Sequence, residues 1–323
     1  MPTAGVAKID KHELKFSNLD KVLYPQAGFT KGQVIDYYLR IAPVLLPHLQ
    51  GRPITLKRYP NGVDGMFFYE KRCPAHKPDW VKTASIYSRH NEDNINYCLA
   101  PDRSTLAWLA NLACLELHPL LAKSDKPDVP TTMVFDLDPG PPASILDCIR
   151  IALKMRDSLK HLGLESFPKT SGGKGLHFWV PLNTPVSFDQ TKAFAHTFAM
   201  FFERQDPEHV TSVMRKDLRV GKVLIDWSQN DSHKTTVAAY SLRAQPQPTV
   251  STPVTWKELE SALKRDDGTK LRFTADQVLK RVEKLGDLFE PVLKLKQKLD
   301  VASSVSGDNT KRAAKRRSRS KAS

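Results

Sequence analysis

Two aspartates two residues apart, Asp136 and Asp138, stand in the apolar run Thr132-Met-Val-Phe-Asp-Leu-Asp-Pro-Gly140. In a strand, alternation puts both carboxylates on one face and turns Phe135 and Leu137 toward the core. Acids held that close repel each other unless a cation sits between them, and hard divalent ions such as Mg2+ or Mn2+ are bound this way with substrate phosphates completing the shell. The plainer alternative is a strand that runs into an acidic turn at Pro139-Gly140. A third acid, Asp226, lies in Val223-Leu-Ile-Asp-Trp227 among bulky apolar residues, where unpaired charge is costly. Its partner is either the same metal pair, giving the three-carboxylate arrangement of in-line phosphoryl displacement, or a cation such as Arg243 or Lys222.

The segment Lys169-Thr-Ser-Gly-Gly-Lys-Gly-Leu-His177 lacks the spacing of a P-loop and leads into a strand-like run rather than a helix. Its glycines let backbone N–H groups turn toward an anion, Ser171 adds a hydroxyl and Lys174 a point charge, so the loop suits a triphosphate. A glycine-rich hairpin is the alternative. A third cluster sets Lys57 and Arg58 near Met66-Phe-Phe-Tyr-Glu-Lys71, cations beside consecutive rings, as in surfaces that stack bases and hold their phosphates. Alternation sends at least one of Phe67 and Phe68 into the core. Lys21, Lys31, Lys216 and Arg219 are either contacts for nucleic-acid phosphates or solvated charges. His118 falls at the end of an expected helix, where a capping role is the simpler reading.

Elements that must position these groups are legible between them. Thr30/Gln33, Ser144/Asp147, Thr255/Glu258 and Thr274/Gln277 each pair a hydroxyl with an acid or amide three residues on, the signature of a helix start. The spacing predicts helices over 144–162, with Gly163 as the stop, and over about 104–117, 189–204 and 275–287. Strands are predicted at Thr132–Leu137, His177–Leu182, Lys222–Trp227, Thr236–Leu242, Pro53–Arg58 and Met66–Tyr69. Strands and helices interleave without strict βαβ order, which implies an α/β chain of mixed α+β character built around sheets. There is no internal repeat.

The chain has 323 residues, with 49 Lys and Arg against 35 Asp and Glu for a formal charge of +14. That excess attracts polyanions and is more than a small acidic substrate requires. The last 23 residues hold seven Lys/Arg against one Asp, which is six of the fourteen charges, so the body stays basic at +8 without them. We expect a loose lead-in over 1–11, a catalytic body over 12–300 and a disordered basic tail over 301–323. No apolar run has signal-peptide or membrane-spanning length, which points to a soluble cytoplasmic protein without a membrane partner. Cys73, Cys98, Cys114 and Cys148 form no CxxC pair and are expected to be reduced, mostly buried thiols rather than a disulfide framework or zinc ligands.

Asp136-Leu-Asp-Pro139, Ser171-Gly-Gly-Lys-Gly-Leu-His177 and the Asp226 strand, in this order, resemble the archaeo-eukaryotic primase superfamily, and within it the polymerase domain of bacterial DNA ligase D. Ser17-Asn-Leu-Asp-Lys-Val-Leu-Tyr-Pro25, the run Gly51 to Val63, and Pro74-x-His-x-Pro-x-Trp80 extend the resemblance over residues 12–295. It implies a primase-polymerase core with two sheets, one RRM-like, forming a cleft flanked by helices. It further implies two metal ions, usually Mn2+ and otherwise Mg2+, on Asp136, Asp138 and Asp226. The resemblance places the NTP or dNTP on Lys57, Ser171, Lys174, His177, Arg243 and Gln229, with His118 and Ser171 near a sugar for which ribose is preferred. Lys21 and Lys31 match positions that grip a downstream 5′-phosphate, and Lys216 and Arg219 a loop that arranges DNA ends.

The implied activity is template-dependent extension of a primer 3′-OH across short gaps in non-homologous end joining, with Ku and a DNA ligase as partners on prokaryotic nucleoid DNA. A primase, a lesion-tolerant relative or a noncatalytic end-binding module are the competing expectations. Family members are often fused to a ligase and a phosphoesterase. The chain carries no ligase lysine motif and ends in a basic tail, which favours a stand-alone polymerase.

Overall fold

The computed structural model describes residues 4–88 and 92–300. The basic tail lies outside the described residues. The segment expected as a lead-in instead forms β1 (Gly5–Ile9), paired antiparallel with β2 (His12–Phe16). Ile9, Leu14 and Phe16 are buried, so this hairpin has a face to bury and is not loose. β3 (Val22–Tyr24) and β4 (Phe29–Thr30) pair next and lead into α1 (Lys31–Leu49), which starts at the Thr30/Gln33 capping box.

The first sheet contains β5 (Ile54–Arg58), β6 (Phe68–Glu70), β7 (Thr83–Ser88) and β8 (Asp93–Cys98), followed, after α2 (Arg103–Asn111), by β9 (Cys114–Pro119). Its order is β6-β5-β8-β7, with β9 also pairing β5. A short hairpin, β10 (Ala122–Lys123) with β11 (Lys126–Pro130), connects to the second sheet. That sheet holds β12 (Thr132–Pro139), β13 (Phe167–Thr170), β14 (Leu176–Pro181), β15 (Val210–Thr211) and β16 (Val223–Asp226), in the order β13-β14-β12-β16-β15. Its helices are α3 (Ile145–His161), α4 (Phe188–Gln205) and α5 (Trp256–Lys264); α6 (Ala275–Leu285) and α7 (Glu290–Lys294) follow among the described residues. Among the described residues no helix is long and apolar enough to cross a membrane.

Each sheet has its own apolar core. Val34, Tyr38, Ile41 and Leu45 of α1 belong to the first; Ile149, Ala152 and Met155 of α3 meet Phe135 and Phe178 in the second. Phe273 packs against both. Asn230 supports β12 from the side. Its Oδ1 accepts from Val134 N at 2.8 Å and its Nδ2 donates to Val134 O at 2.7 Å, completing the strand's hydrogen bonding as a neighbouring backbone would.

Several expectations are corrected. The helix expected through 117 ends at Asn111, because Ala113 adopts φ 56° and the following Leu-Glu-Leu-His alternates as a strand. His118 therefore caps nothing and sits on β9. Thr236–Leu242 is not a strand: its backbone N–H groups reach Pro119, Leu117 and Ser251 carbonyls singly, and its apolar residues are buried by an irregular crossing of the first core. Cys73 and Cys98 are joined in a disulfide, with Cys73 N donating to Asn96 O at 2.7 Å to hold the two segments side by side. Cys114 and Cys148 are free and buried, as expected.

Candidate active site

The alternation of β12 places Asp136 and Asp138 on one face, and register places Asp226 of β16 directly opposite Asp136. On the other flank Asp136 faces His177 of β14. Like charges directly opposed across strands destabilise a sheet, so this triad opposes the fold unless something binds it. Burial pushes the carboxyl of Asp136 up to about 6 despite Lys169 and Arg243 nearby. Burial likewise pushes Asp138 up to about 6, with Asp136 adding to the effect against His177 and Lys174. Oδ1 of Asp136 is buried without a hydrogen-bond partner; His177 Nε2 stands 3.1 Å away but is not aligned to donate. Asp226 is better served, accepting from Ser228 N at 2.8 Å, Ser228 Oγ at 2.7 Å and Gln229 Nε2 at 3.0 Å.

Hard oxygen donors, raised carboxyl pKa values and an orphaned carboxylate oxygen all fit a divalent cation. The carboxylates share a face without being drawn into a finished cage: among the described residues, no group of three His, Cys, Asp or Glu side chains is in place to hold a metal.

A cavity of about 770 Å3 opens beside this face and is walled by both sheets. Asp136, Asp138, Ser171, Lys174, His177, Gln229 and Arg243 line it from one side and His118 from the other. Asp226 is held by Gln229 just outside that lining. The glycine loop is packed against its surroundings. A Cβ on Gly172, at φ 74°, would sit 2.7 Å from the Arg243 side chain, and one on Gly175 would sit 2.4 Å from Leu137 O. Arg243 donates to Ser171 O at 2.6 Å and Thr249 to Gly172 O at 2.5 Å. The N–H groups of Gly173 and Gly175 point at Ser171 Oγ, at 3.1 and 3.0 Å, so those two donors serve the loop itself. Lys174 donates to Pro139 O at 3.0 Å and Arg243 lies 3.2 Å from Glu116, and both side chains face the cavity with Ser171.

Two buried groups escaped the sequence reading. Lys169, fully buried, donates to Ser251 Oγ at 2.7 Å and meets His177 Nδ1 at 3.2 Å, which turns His177 Nε2 toward Asp136. Burial holds the pKa of Lys169 well below the lysine range. Glu116, 1% exposed, lies within reach of Lys57 Nζ at 3.4 Å, His118 Nε2 at 2.9 Å and Arg243 Nε at 3.2 Å. The Leu-Glu-Leu-His alternation, read as a strand, places Glu116 and His118 on one face and was the available signal. Tyr69, Lys71 and Arg272 also line the cavity.

The aromatic cluster departs from its expected burial. Phe67 and Phe68 are both exposed, because β6 begins only at Phe68 and lies on the sheet edge. Phe67 stacks on Tyr59 at 5.3 Å, and Lys57 Nζ lies 4.5 Å from its ring centre. Burial alone lowers the Lys57 ammonium pKa, but Glu116 and Tyr59 outweigh it and leave it raised.

Lys31 and Lys21 come together away from the cavity. Lys31 is buried and donates to Ser17 O at 2.6 Å, while Lys21 reaches Asn61 Oδ1 at 3.2 Å. Burial and the neighbouring Lys21 pull Lys31 down to about 8. Lys216 and Arg219 stand in a turn after β15; a Cβ on Gly140 would lie 1.8 Å from Arg219 O, so this turn packs on the end of the aspartate strand.

Asp136, Asp138 and Asp226 thus share one sheet face beside a cavity that Lys174 and Arg243 also line. The family model "LigD, primase-polymerase domain" matches residues 30–289, and the chain belongs to that family. Multifunctional non-homologous end joining protein LigD of Mycolicibacterium smegmatis is 44% identical over 281 residues, covering 86% of this chain and 36% of that protein. Bifunctional non-homologous end joining protein LigD of Bacillus subtilis is 32% identical over 275 residues, covering 85% of this chain and 43% of that one. The chain thus spans well under half the length of these relatives. Among solved structures, the polymerase domain from Mycobacterium tuberculosis ligase D in complex with DNA superposes with a TM-score of 0.80 at 41% identity, covering 88% of this chain and 99% of that one.

Proposed function

We propose that the protein is a template-dependent nucleotidyltransferase that extends a primer 3′-hydroxyl to fill short gaps at double-strand breaks, with ribonucleotides preferred, in prokaryotic non-homologous end joining. The observation that carries this reading is the shared face of Asp136, Asp138 and Asp226 beside the cavity. Two divalent ions, Mn2+ or Mg2+, would there supply a lowered pKa for the primer hydroxyl and charge neutralisation at the α-phosphate. The three aspartates hold them on one face, and burial keeps water from competing for the carboxylates. Lys174, Arg243, His177 and the Ser171 hydroxyl grip the triphosphate, with Gln229 fixing the orientation of Asp226. Lys57 borders the same wall, and His118 meets the sugar.

Phe67 and Phe68, exposed beside cations, stack template bases. Lys21 and Lys31 receive a downstream 5′-phosphate, which limits synthesis to gaps, and Lys216 and Arg219 meet the DNA backbone. Ku and a separate DNA ligase are the partners this activity requires, and the reaction would take place on cytoplasmic nucleoid DNA. The test is incorporation of one labelled ribonucleotide or deoxynucleotide, with Mn2+, on a gapped duplex with and without the 5′-phosphate. Templated addition that prefers ribose and is stimulated by the phosphate is expected; DNA binding without incorporation would overturn the reading.

A further inference from the structure

We propose that Glu116 is a positioning residue that sets sugar selectivity, by holding His118 in the tautomer whose Nδ1 accepts a hydrogen bond from the 2′-hydroxyl of the incoming nucleotide. The inference rests on the reading above, in which a nucleotide binds with its sugar beside His118. Glu116 lies on β9 two residues before His118, so both side chains share a face, and its Oε2 is 2.9 Å from His118 Nε2. The rest of the carboxylate is also committed. Oε1 accepts from Ala244 N at 3.1 Å and lies 3.4 Å from Lys57 Nζ, and Arg243 Nε lies 3.2 Å from Oε2.

Burial alone would neutralise this acid, yet His118, Arg243 and Lys57 hold its pKa well below the carboxylate range. Burial in turn draws His118 below the ordinary histidine value, despite Glu116. An ionised carboxylate only accepts hydrogen bonds, and a neutral imidazole carries one proton. The proton of His118 therefore sits on Nε2, and Nδ1 is an acceptor. Nδ1 has no hydrogen-bond partner among the described residues, and the ring lines the cavity.

A ribose 2′-OH can donate to this nitrogen. A deoxyribose seated over the ring would cover this nitrogen without giving it a donor, a penalty worth about tenfold to a hundredfold in relative incorporation. The same geometry makes a sharper statement: what counts is a donor at the 2′ position, not its size. A 2′-fluoro nucleotide, which can accept and not donate, should behave as the deoxynucleotide does. A 2′-amino nucleotide should recover part of the ribose advantage.

The test compares kcat/KM for 2′-hydroxy, 2′-deoxy, 2′-fluoro and 2′-amino forms of one nucleotide on the full chain, and then in Glu116→Gln. The amide of Gln can donate to Nε2, releasing the proton to Nδ1 and removing the fixed acceptor. Loosening of Lys57 and Arg243 affects every sugar alike, so the ratio between sugars isolates the His118 effect. We expect the ribose-to-deoxyribose ratio to fall about tenfold in Glu116→Gln. Histidine 15N spectra of the unaltered chain should report an unprotonated Nδ1 for His118. A 2′-fluoro nucleotide used as well as the ribonucleotide, or a Glu116→Gln ratio equal to that of the unaltered chain, would overturn the inference while leaving the polymerase reading intact. If the unaltered chain incorporates nucleotides without sugar preference, the preference proposed above falls and this inference with it.

Discussion

The two walls of the cavity treat buried acid in opposite ways. On the second sheet, burial pushes the carboxyl groups of Asp136 and Asp138 up to about 6, against Lys169 and Arg243 near the first and His177 and Lys174 near the second. On the first sheet, Glu116 has His118, Arg243 and Lys57 around one carboxylate and is held ionised, well below the usual range. On one wall burial outweighs the neighbouring cations, and on the other the cations outweigh burial. The difference follows from strand register on each side, which sets Asp226 opposite Asp136 and Lys57 opposite Glu116.

On the proposed mechanism, Asp226→Ala should reduce single-nucleotide extension on the order of a thousandfold or more while DNA binding by anisotropy is kept. Extension within tenfold of the unaltered chain would remove the acid wall's assigned role.

Stability distinguishes the walls next. Glu116→Ala strands buried cations and should cost about 3–5 kcal/mol in denaturant unfolding. Asp138→Asn, in chelator, should be neutral or stabilising, because it deletes a charge with too few partners. Equal losses from both substitutions would erase the contrast.

The pH dependence should carry the same signature. A carboxyl whose folded pKa lies above its unfolded value stabilises the fold while protonated. For Asp136 and Asp138 that contribution is complete below the ordinary 3.8 and is lost as pH rises through about 6. Unfolding free energy in chelator should therefore fall by about 3 kcal/mol for each carboxyl, on the order of 6 kcal/mol for the two, across this window, relative to the Asp136→Asn, Asp138→Asn double variant. Divalent ion should recover the loss.

The smallest effect belongs to the paired lysines outside the cavity. Lys31→Ala should reduce the stimulation by a downstream 5′-phosphate by roughly tenfold and leave extension of an unphosphorylated gap nearly unchanged. A uniform loss on both substrates would assign Lys31 to the fold through Ser17 instead.

Much of this was legible in sequence where the cause is local. The four hydroxyl-plus-acid-or-amide signals open α1, α3, α5 and α6, because a capping box is written within four residues. The same holds for the shared face of Asp136 and Asp138, which needs only alternation, and for the tight glycine loop. Asp226 was found by the cost of burying an acid. What failed was non-local. Glu116 and Lys169 acquire meaning from Arg243 and Ser251, 127 and 82 residues away. Thr236–Leu242 has strand-like composition because it crosses the core, while its hydrogen bonds go elsewhere. The Cys73–Cys98 pair is made by the fold, across a separation of 25 residues that carries no signal of its own.

Titration of Mn2+ into the chain, followed by electron paramagnetic resonance with and without nucleotide, tests the central claim most directly. The account predicts Mn2+ uptake that tightens with nucleotide and is lost in both Asp136→Ala and Asp138→Ala. Undiminished uptake in these variants, or full primer extension by a chain that takes up no divalent ion, would contradict it.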